Sequence, residues 1–174
     1  MHPLDKFKYC PVCGSSNWAI HNFKSKHCSD CGFTYYGNPS AANVAFITNN
    51  KDELLVVRRK NDPAKGTLDL PGGFTDMEES GEQGIIREVL EETGLTVSRA
   101  EYLFSLPNLY EYSGMVIHTL DMFFRCHVDD CSVVQAMDDA EDARWIPLKD
   151  INIDDFGLRS VRKGVALFLN LNNS

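Results

Sequence analysis

The chain has no apolar run of about 18 residues, the length that a membrane-spanning helix needs. Its opening residues, MHPLDKFKYC, contain no apolar stretch of the kind a secretory signal carries. A soluble, cytoplasmic setting without a membrane partner is expected from these two absences. Internal repeats and low-complexity tracts are missing as well. Basic residues are scarce, with 17 Lys and Arg against 25 Asp and Glu and a net charge of −8. That field repels phosphate backbones and anionic lipid, so nucleic acid is not an expected partner. A phosphate-bearing substrate would have to be bridged by cations. What the chain does have is 174 residues, 43% of them hydrophobic. That is enough core for one medium domain, or for one domain with a small module attached.

Four of the six cysteines form two pairs, Cys10-Pro-Val-Cys13 and Cys28-Ser-Asp-Cys31, with fourteen residues between them. A glycine follows each pair, Gly14 and Gly32, and lets the backbone turn back so that both sulfurs face one centre. A single C-x-x-C would leave disulfide or redox chemistry open. Two at this spacing, without a secretion signal, favour a closed four-thiolate Zn2+ site of structural type. His21 and His27 could substitute as ligands, but Cys10, Cys13, Cys28 and Cys31 already suffice. Cys126 and Cys131 do not fit a metal spacing and read as buried thiols. Residues 1–36, too short to fold without metal, form the expected ribbon, and residues 37–174 the second domain.

Turn residues at 35–39 make the joint. Ala41 to Thr48 reads as a buried strand, followed by a hairpin loop at 49–52 and a return strand from Glu53 to Arg59. Leu68 to Leu70 is a short extended piece leading into Pro71-Gly72-Gly73. A helix is expected over Ser80 to Thr93, with Ser80 and Gln83 as a capping box and Gly94 beyond its end. Strands are expected at Thr96 to Leu106, Met115 to Val128 and Ala143 to Ile146. A closing helix is expected from Asp155 to Leu171. Strands outnumber helices without regular alternation, which suits a mixed sheet flanked by helices.

The acidic run from Asp76 to Glu92 holds seven carboxylates and one cation, Arg87. On a helix, Glu88, Glu91 and Glu92 fall within an arc of roughly 100°. Ile85, Ile86, Val89 and Leu90 occupy the neighbouring arc and should enter the core. Carboxylates this close repel, so protons, cations or full solvation must offset them. On charge count alone a solvated acidic face accounts for the run. The adjacent Gly72 and Gly73 favour a ligand site, because they allow close backbone approach. Hard oxygen donors suit Mg2+ or Mn2+ shared with substrate phosphate.

The stretch from Gly73 to Leu95 resembles the Nudix box. In that box a glycine is followed after five residues by Glu, and after seven more by Arg-Glu-U-x-Glu-Glu-x-Gly-U (U is bulky aliphatic). Gly73, Glu79, Arg87, Glu88, Val89, Glu91, Glu92, Gly94 and Leu95 occupy every fixed position. The resemblance implies an α/β/α sandwich with a mixed sheet, and hydrolysis of a nucleoside diphosphate linked to another group. Divalent cations activate water and neutralise phosphate charge in such chemistry. It further implies Glu88 and Glu92 as metal ligands and Glu91 as a sharer of the metals or a polariser of water. The Gly72 carbonyl becomes another ligand, and a Glu79–Arg87 pair braces the loop. One further acid often comes from outside the box. Asp138, Asp139, Glu141 and Asp142 precede Ala143-Arg144-Trp145-Ile146, and Asp139, six residues before the tryptophan, takes that position; a solvated acidic loop is the alternative.

A four-cysteine ribbon ahead of the box is similar to the architecture of NADH pyrophosphatases, which also carry S-Q-P-W-P-F-P-x-S downstream. Here Ser105-Leu106-Pro107-Asn108-Leu109-Tyr110-Glu111-Tyr112-Ser113 keeps both serines and one proline, with Tyr110 at the Phe position. Gln, Trp and two prolines are replaced, so ADP-ribose and other ADP-linked compounds stand level with NAD(H). Tyr110 or Tyr112 could stack on a base, with Gly73 beside the substrate. The leading expectation is thus a metal-dependent pyrophosphohydrolase of a small nucleotide, with a homodimer possible. A binding module with a nucleotide-sensing domain is the alternative from another class. Its ribbon has four Lys against two Asp, a small excess for a phosphate footprint. Cleavage of NAD-capped RNA ends is a third option.

Overall fold

The computed structural model describes residues 2–132, 134–137 and 140–172. Three short antiparallel strands come first: β1 (Trp18–Asn22), β2 (Ser25–Cys28) and β3 (Thr34–Tyr36), with β2 central. Their buried apolar cluster is small, Cys10, Trp18 and Cys28, with Phe33 packed against it. The Trp18 and Phe33 rings stack with centroids 6.1 Å apart.

Two further sheets carry most of the chain. β4 (Ser40–Phe46) lies parallel to β8 (Met115–Val128), and β8 pairs antiparallel with β7 (Val97–Tyr112). β5 (Glu53–Arg59) sits between β6 (Leu68–Asp69) and β9 (Ala140–Pro147), antiparallel to both. The helices are α1 (Gly81–Thr93) and α2 (Arg159–Asn172).

Period-two alternation along these strands divides the apolar side chains between two cores. Val44, Phe46, Leu54, Val56 and Phe123 pack with Val161, Val165 and Phe168 of α2. Ala45, Ile47, Leu55, Phe124 and Cys126 pack with Ile85 and Val89 of α1. Apolar strands covered on both faces by helices make the α/β/α sandwich with a mixed sheet. Phe46 stacks on Phe168 at 4.0 Å, and each such buried ring contributes about 1.5–3 kcal/mol.

Several local expectations are corrected. β4 and β5 follow one another through a tight loop but touch only near Ile47, Thr48, Leu54 and Leu55. They then part into separate sheets, because each finds a longer partner, β8 and β9. β7 and β9 run further than the apolar pattern suggests, since backbone pairing continues past the last apolar side chain. α2 begins at Arg159 rather than Asp155, because Phe156 is drawn into the core and forms an isolated bridge with Leu68. Ile86 and Leu90 are exposed, as the apolar arc of α1 narrows to Ile85 and Val89. Cys126 is buried, whereas Cys131, past the end of β8, is only partly covered. No helix among the described residues is long and apolar enough to cross a membrane.

α1 starts as a capping box. The Gln83 N–H donates to the Ser80 hydroxyl, and the Ser80 N–H donates to the Gln83 side-chain oxygen. Gly94 closes the helix at φ 71°, its N–H donating to the Leu90 carbonyl. Ser80→Ala should lower stability by about 1 kcal/mol, read from urea unfolding. Burial pushes the Cys126 thiol up to about 12, so it should resist iodoacetamide at neutral pH in the folded chain and react only on unfolding.

Candidate active site

The acidic edge is built where a loop meets a helix. Residues 71–75 run along the edge of β4 that faces away from β8. The Ala45 N–H donates to the Pro71 carbonyl at 2.8 Å, Asn43 to Gly73 at 2.8 Å, and Thr75 to Ala41 at 3.1 Å. This lays Gly72 and Gly73 beside α1. A Cβ on Gly72 would collide with the Asn43 carbonyl, and one on Gly73 would lie 2.6 Å from the Glu88 carboxylate. Only glycine lets the loop sit this close to both strand and helix.

Glu92 is buried, and the Gly72 N–H donates to it at 3.0 Å. Burial pushes the Glu88 carboxyl up, opposed by the adjacent Arg87. Arg87 is the hub of the edge. Its Nε and Nη2 donate to the two Glu79 oxygens, each at 3.0 Å, and Nη2 also donates to the Phe74 carbonyl. Its Nη1 donates to Glu88 at 2.9 Å and Glu91 at 3.0 Å, and its Nε lies 3.7 Å from Asp76. Glu79 foremost holds the guanidinium well above its ordinary pKa. Part of the offsetting charge therefore comes from within the chain. Among the described residues, Glu88, Glu91 and Glu92 do not bring oxygens within 4.8 Å of one another as the four cysteine sulfurs do. They line one cleft instead.

That cleft encloses about 650 Å3, and Gly72, Gly73, Glu88, Glu91 and Glu92 lie along it. Tyr110 and Tyr112 line it from β7. The Tyr110 ring sits edge-on to Phe74 at 5.7 Å, and its hydroxyl accepts from Arg59 at 3.1 Å. Tyr112 is exposed at the rim. Asp138 and Asp139 lie outside the described residues. Glu141 is exposed and Asp142 half-buried on β9.

Away from the cleft, Cys10 and Cys31 sulfurs lie 3.7 Å apart and Cys13 and Cys28 sulfurs 3.6 Å apart. A disulfide needs about 2.05 Å. Zinc–sulfur bonds of about 2.3 Å in a tetrahedron put sulfurs roughly 3.8 Å apart. The Gly14 and Gly32 N–H groups donate to the carbonyls of Cys10 and Cys28, giving two equivalent turns. The cluster thus fits a zinc ion.

Residues 37–165 match the family model described as NUDIX domain. The chain belongs to the Nudix family. A NAD-capped RNA hydrolase NudC of Stutzerimonas stutzeri is 27% identical over 95% of this chain and 55% of its own length. The chain spans about half the length of the curated relatives it matches. A Nudix hydrolase crystal structure from Nitrosomonas europaea aligns with TM-score 0.72 at 22% identity, covering 94% of this chain and 90% of that one. A bifunctional NMN adenylyltransferase/ADP ribose pyrophosphatase from Francisella tularensis aligns with TM-score 0.61 at 26% identity, covering 78% of this chain and 42% of that one.

The Nudix cleft also has polar walls that the sequence reading passed over. Arg59 and Asp69 pair at 2.5 Å inside it. Burial pushes the Asp69 carboxyl up, and Arg59 opposes the shift. Asn108, Thr119 and Asp121 are buried along the same cleft. A signal existed: Asp69 between two leucines and Asp121 in an apolar strand are costly unless hydrogen-bonded or paired.

Glu79 is held below the ordinary carboxyl range, first by the Arg87 hydrogen bond and then by the Asp76 N–H. A carboxyl lowered in the fold contributes stability above its unfolded pKa and loses it as pH falls through the folded value. Stability should therefore drop below about pH 4, and Glu79→Gln should flatten that acid slope in urea unfolding between neutral and acid pH.

Proposed function

We propose that the chain is a divalent-metal-dependent pyrophosphohydrolase. Its substrate would be a nucleoside diphosphate linked to another group, of the ADP-ribose or NAD(H) kind, and a nucleoside monophosphate would be released. The observation that carries this reading is the complete box on α1 and its loop, lying along a cleft large enough for a dinucleotide. Glu88, Glu91, Glu92 and the Gly72 carbonyl are the residues that would hold Mg2+ or Mn2+. The donor set fits: hard oxygens of three carboxylates and a backbone carbonyl, on a chain of net charge −8. Bound there, the cations would supply charge neutralisation on the diphosphate and activation of water.

The chain's own residues have separable tasks in this reading. The Gly72 N–H orients Glu92, and Gly73 leaves room for the Glu88 carboxylate. Arg87, clamped by Glu79, holds the loop to the helix and sets the spacing of the acids. Tyr110, braced by Arg59 and Phe74, offers a ring face to a base. Asp139 retains the outside acid role on its position before Trp145. Residues 1–36 and 37–174 form the two units, with zinc on the four cysteines as a structural ion.

A second reading, removal of an NAD cap from RNA, is favoured by the name of the Stutzerimonas stutzeri relative. It reverses the expectation from net charge: steering by the acidic body disfavours RNA, yet a single capped end could enter the same cleft. An NAD-capped transcript shortened to a 5′-monophosphate end would support it, and an unchanged transcript alongside active cleavage of ADP-ribose would remove it.

Purified protein with Mg2+ or Mn2+ should release AMP from ADP-ribose or NADH, and chelation should abolish the release. Glu92→Gln keeps an acceptor for the Gly72 N–H, so it should fold normally while losing about 100-fold or more in kcat. Unchanged turnover in that variant would sink the assignment. Removal of zinc should shift Trp18 emission to the red in a Trp145→Phe background, because the ribbon has almost no apolar core of its own.

A further inference from the structure

The inner wall of the cleft is polar by register. Asn108 lies opposite Thr119 across β7 and β8, and Leu106 lies opposite Asp121. Alternation puts Asn108 and Tyr110 of β7 on the same face as Thr119 and Asp121 of β8. On the parallel side, Ser40 stands beside Thr119 and Ala42 beside Asp121. Two small side chains leave space above the polar ones. Asn108, Thr119 and Asp121 are 5%, 3% and 4% exposed, and all three line the cleft.

The hydrogen bonds within this wall are unevenly spent. Asp121 accepts from the Thr119 hydroxyl through one oxygen and from the Ser160 hydroxyl of α2 through the other, both at 2.5 Å. Asp69 accepts from Arg59 and from the Leu70 N–H. Both hydroxyl protons are thus committed, and what the wall still offers is lone pairs. Asn108 differs: its side-chain amide makes no hydrogen bond to any described residue. Asn108 lines the cleft, so its two donors and its acceptor are available to a ligand there.

Resting on the function proposed above, we propose that Asn108, with Thr119 and Asp121, reads a planar ring of the substrate that carries an N–H donor beside an acceptor. An amino-purine edge and a carboxamide both have that pattern. An asparagine amide pairs with it through two hydrogen bonds, as it does with adenine in nucleic-acid recognition. Tyr110, two residues along on the same face, supplies the stacking surface. Asn108 occupies the position at which the motif of NADH pyrophosphatases carries tryptophan.

The test compares kcat/KM for NAD and ADP-ribose with their hypoxanthine counterparts, in which the amino group is replaced by a carbonyl. It also compares NAD with nicotinic acid adenine dinucleotide, in which a carboxylate replaces the carboxamide. The wild-type protein should disfavour one class of analogue by about tenfold or more, the discrimination of one bidentate pair. Loss with hypoxanthine places adenine at Asn108; loss with the acid places the pyridine carboxamide there. In Asn108→Leu and Asn108→Asp, both checked for folding by thermal melting, that preference should collapse toward parity. Equal use of all analogues by the wild type overturns the inference, as does a preference that survives in Asn108→Leu. Absence of cleavage of every compound, with divalent metal present, removes the proposed function itself.

Discussion

Carboxylates crowded on one helix need compensating charge, and the architecture around α1 follows from that need. Glu88, Glu91 and Glu92 share the helix with one cation, Arg87, which Glu79 grips with both oxygens from the preceding loop. The clamp does two things at once. It anchors the loop that carries Gly72 and Gly73, and it shares a guanidinium with Glu88 and Glu91. Glu92 lies outside the Arg87 bonds and is oriented by the Gly72 N–H. The site is therefore a balance in which charge within the chain covers part of the repulsion between the carboxylates.

The sandwich makes this balance possible by holding its parts rigidly. β4 is bonded along one edge to β8 and along the other to residues 71–75, so the loop has little freedom to drift from the helix. Two apolar layers, one under each helix, fix the sheet between them. Toward one end of the α2 side, side chains along β7 and β8 change from Leu106 and Phe123 to Asn108, Thr119 and Asp121. The core there gives way to a cleft, and Asp121 is held by the Thr119 and Ser160 hydroxyls.

The first three strands solve a different problem. With Cys10, Trp18, Cys28 and Phe33 as their apolar cluster, they bury too little surface to offset the entropy of ordering the segment. Four sulfurs set in two equivalent turns have spacings that match a tetrahedral ion, and such an ion would supply what the core lacks.

How much of this was legible in the chain depended on the range of the physics involved. The capping box at Ser80, the glycine after Thr93, the strand from Met115 to Val128 and the cysteine turns are local, so neighbouring residues alone determined them. The helical spacing of Glu88, Glu91 and Glu92 placed them on one edge for the same reason. Tertiary structure decided what local spacing cannot: that β4 and β5 separate into different sheets, and that Ile86 and Leu90 stay outside. It also decided that Arg87 answers three glutamates rather than one. Arg59, Asp69, Asn108, Thr119, Asp121 and Ser160 come from β5, β6, β7, β8 and α2, and apart from Thr119 and Asp121, two residues apart on β8, no sequence spacing links them. They form one polar wall because strand pairing and helix packing bring remote residues onto one face, and that proximity exists only in the folded chain.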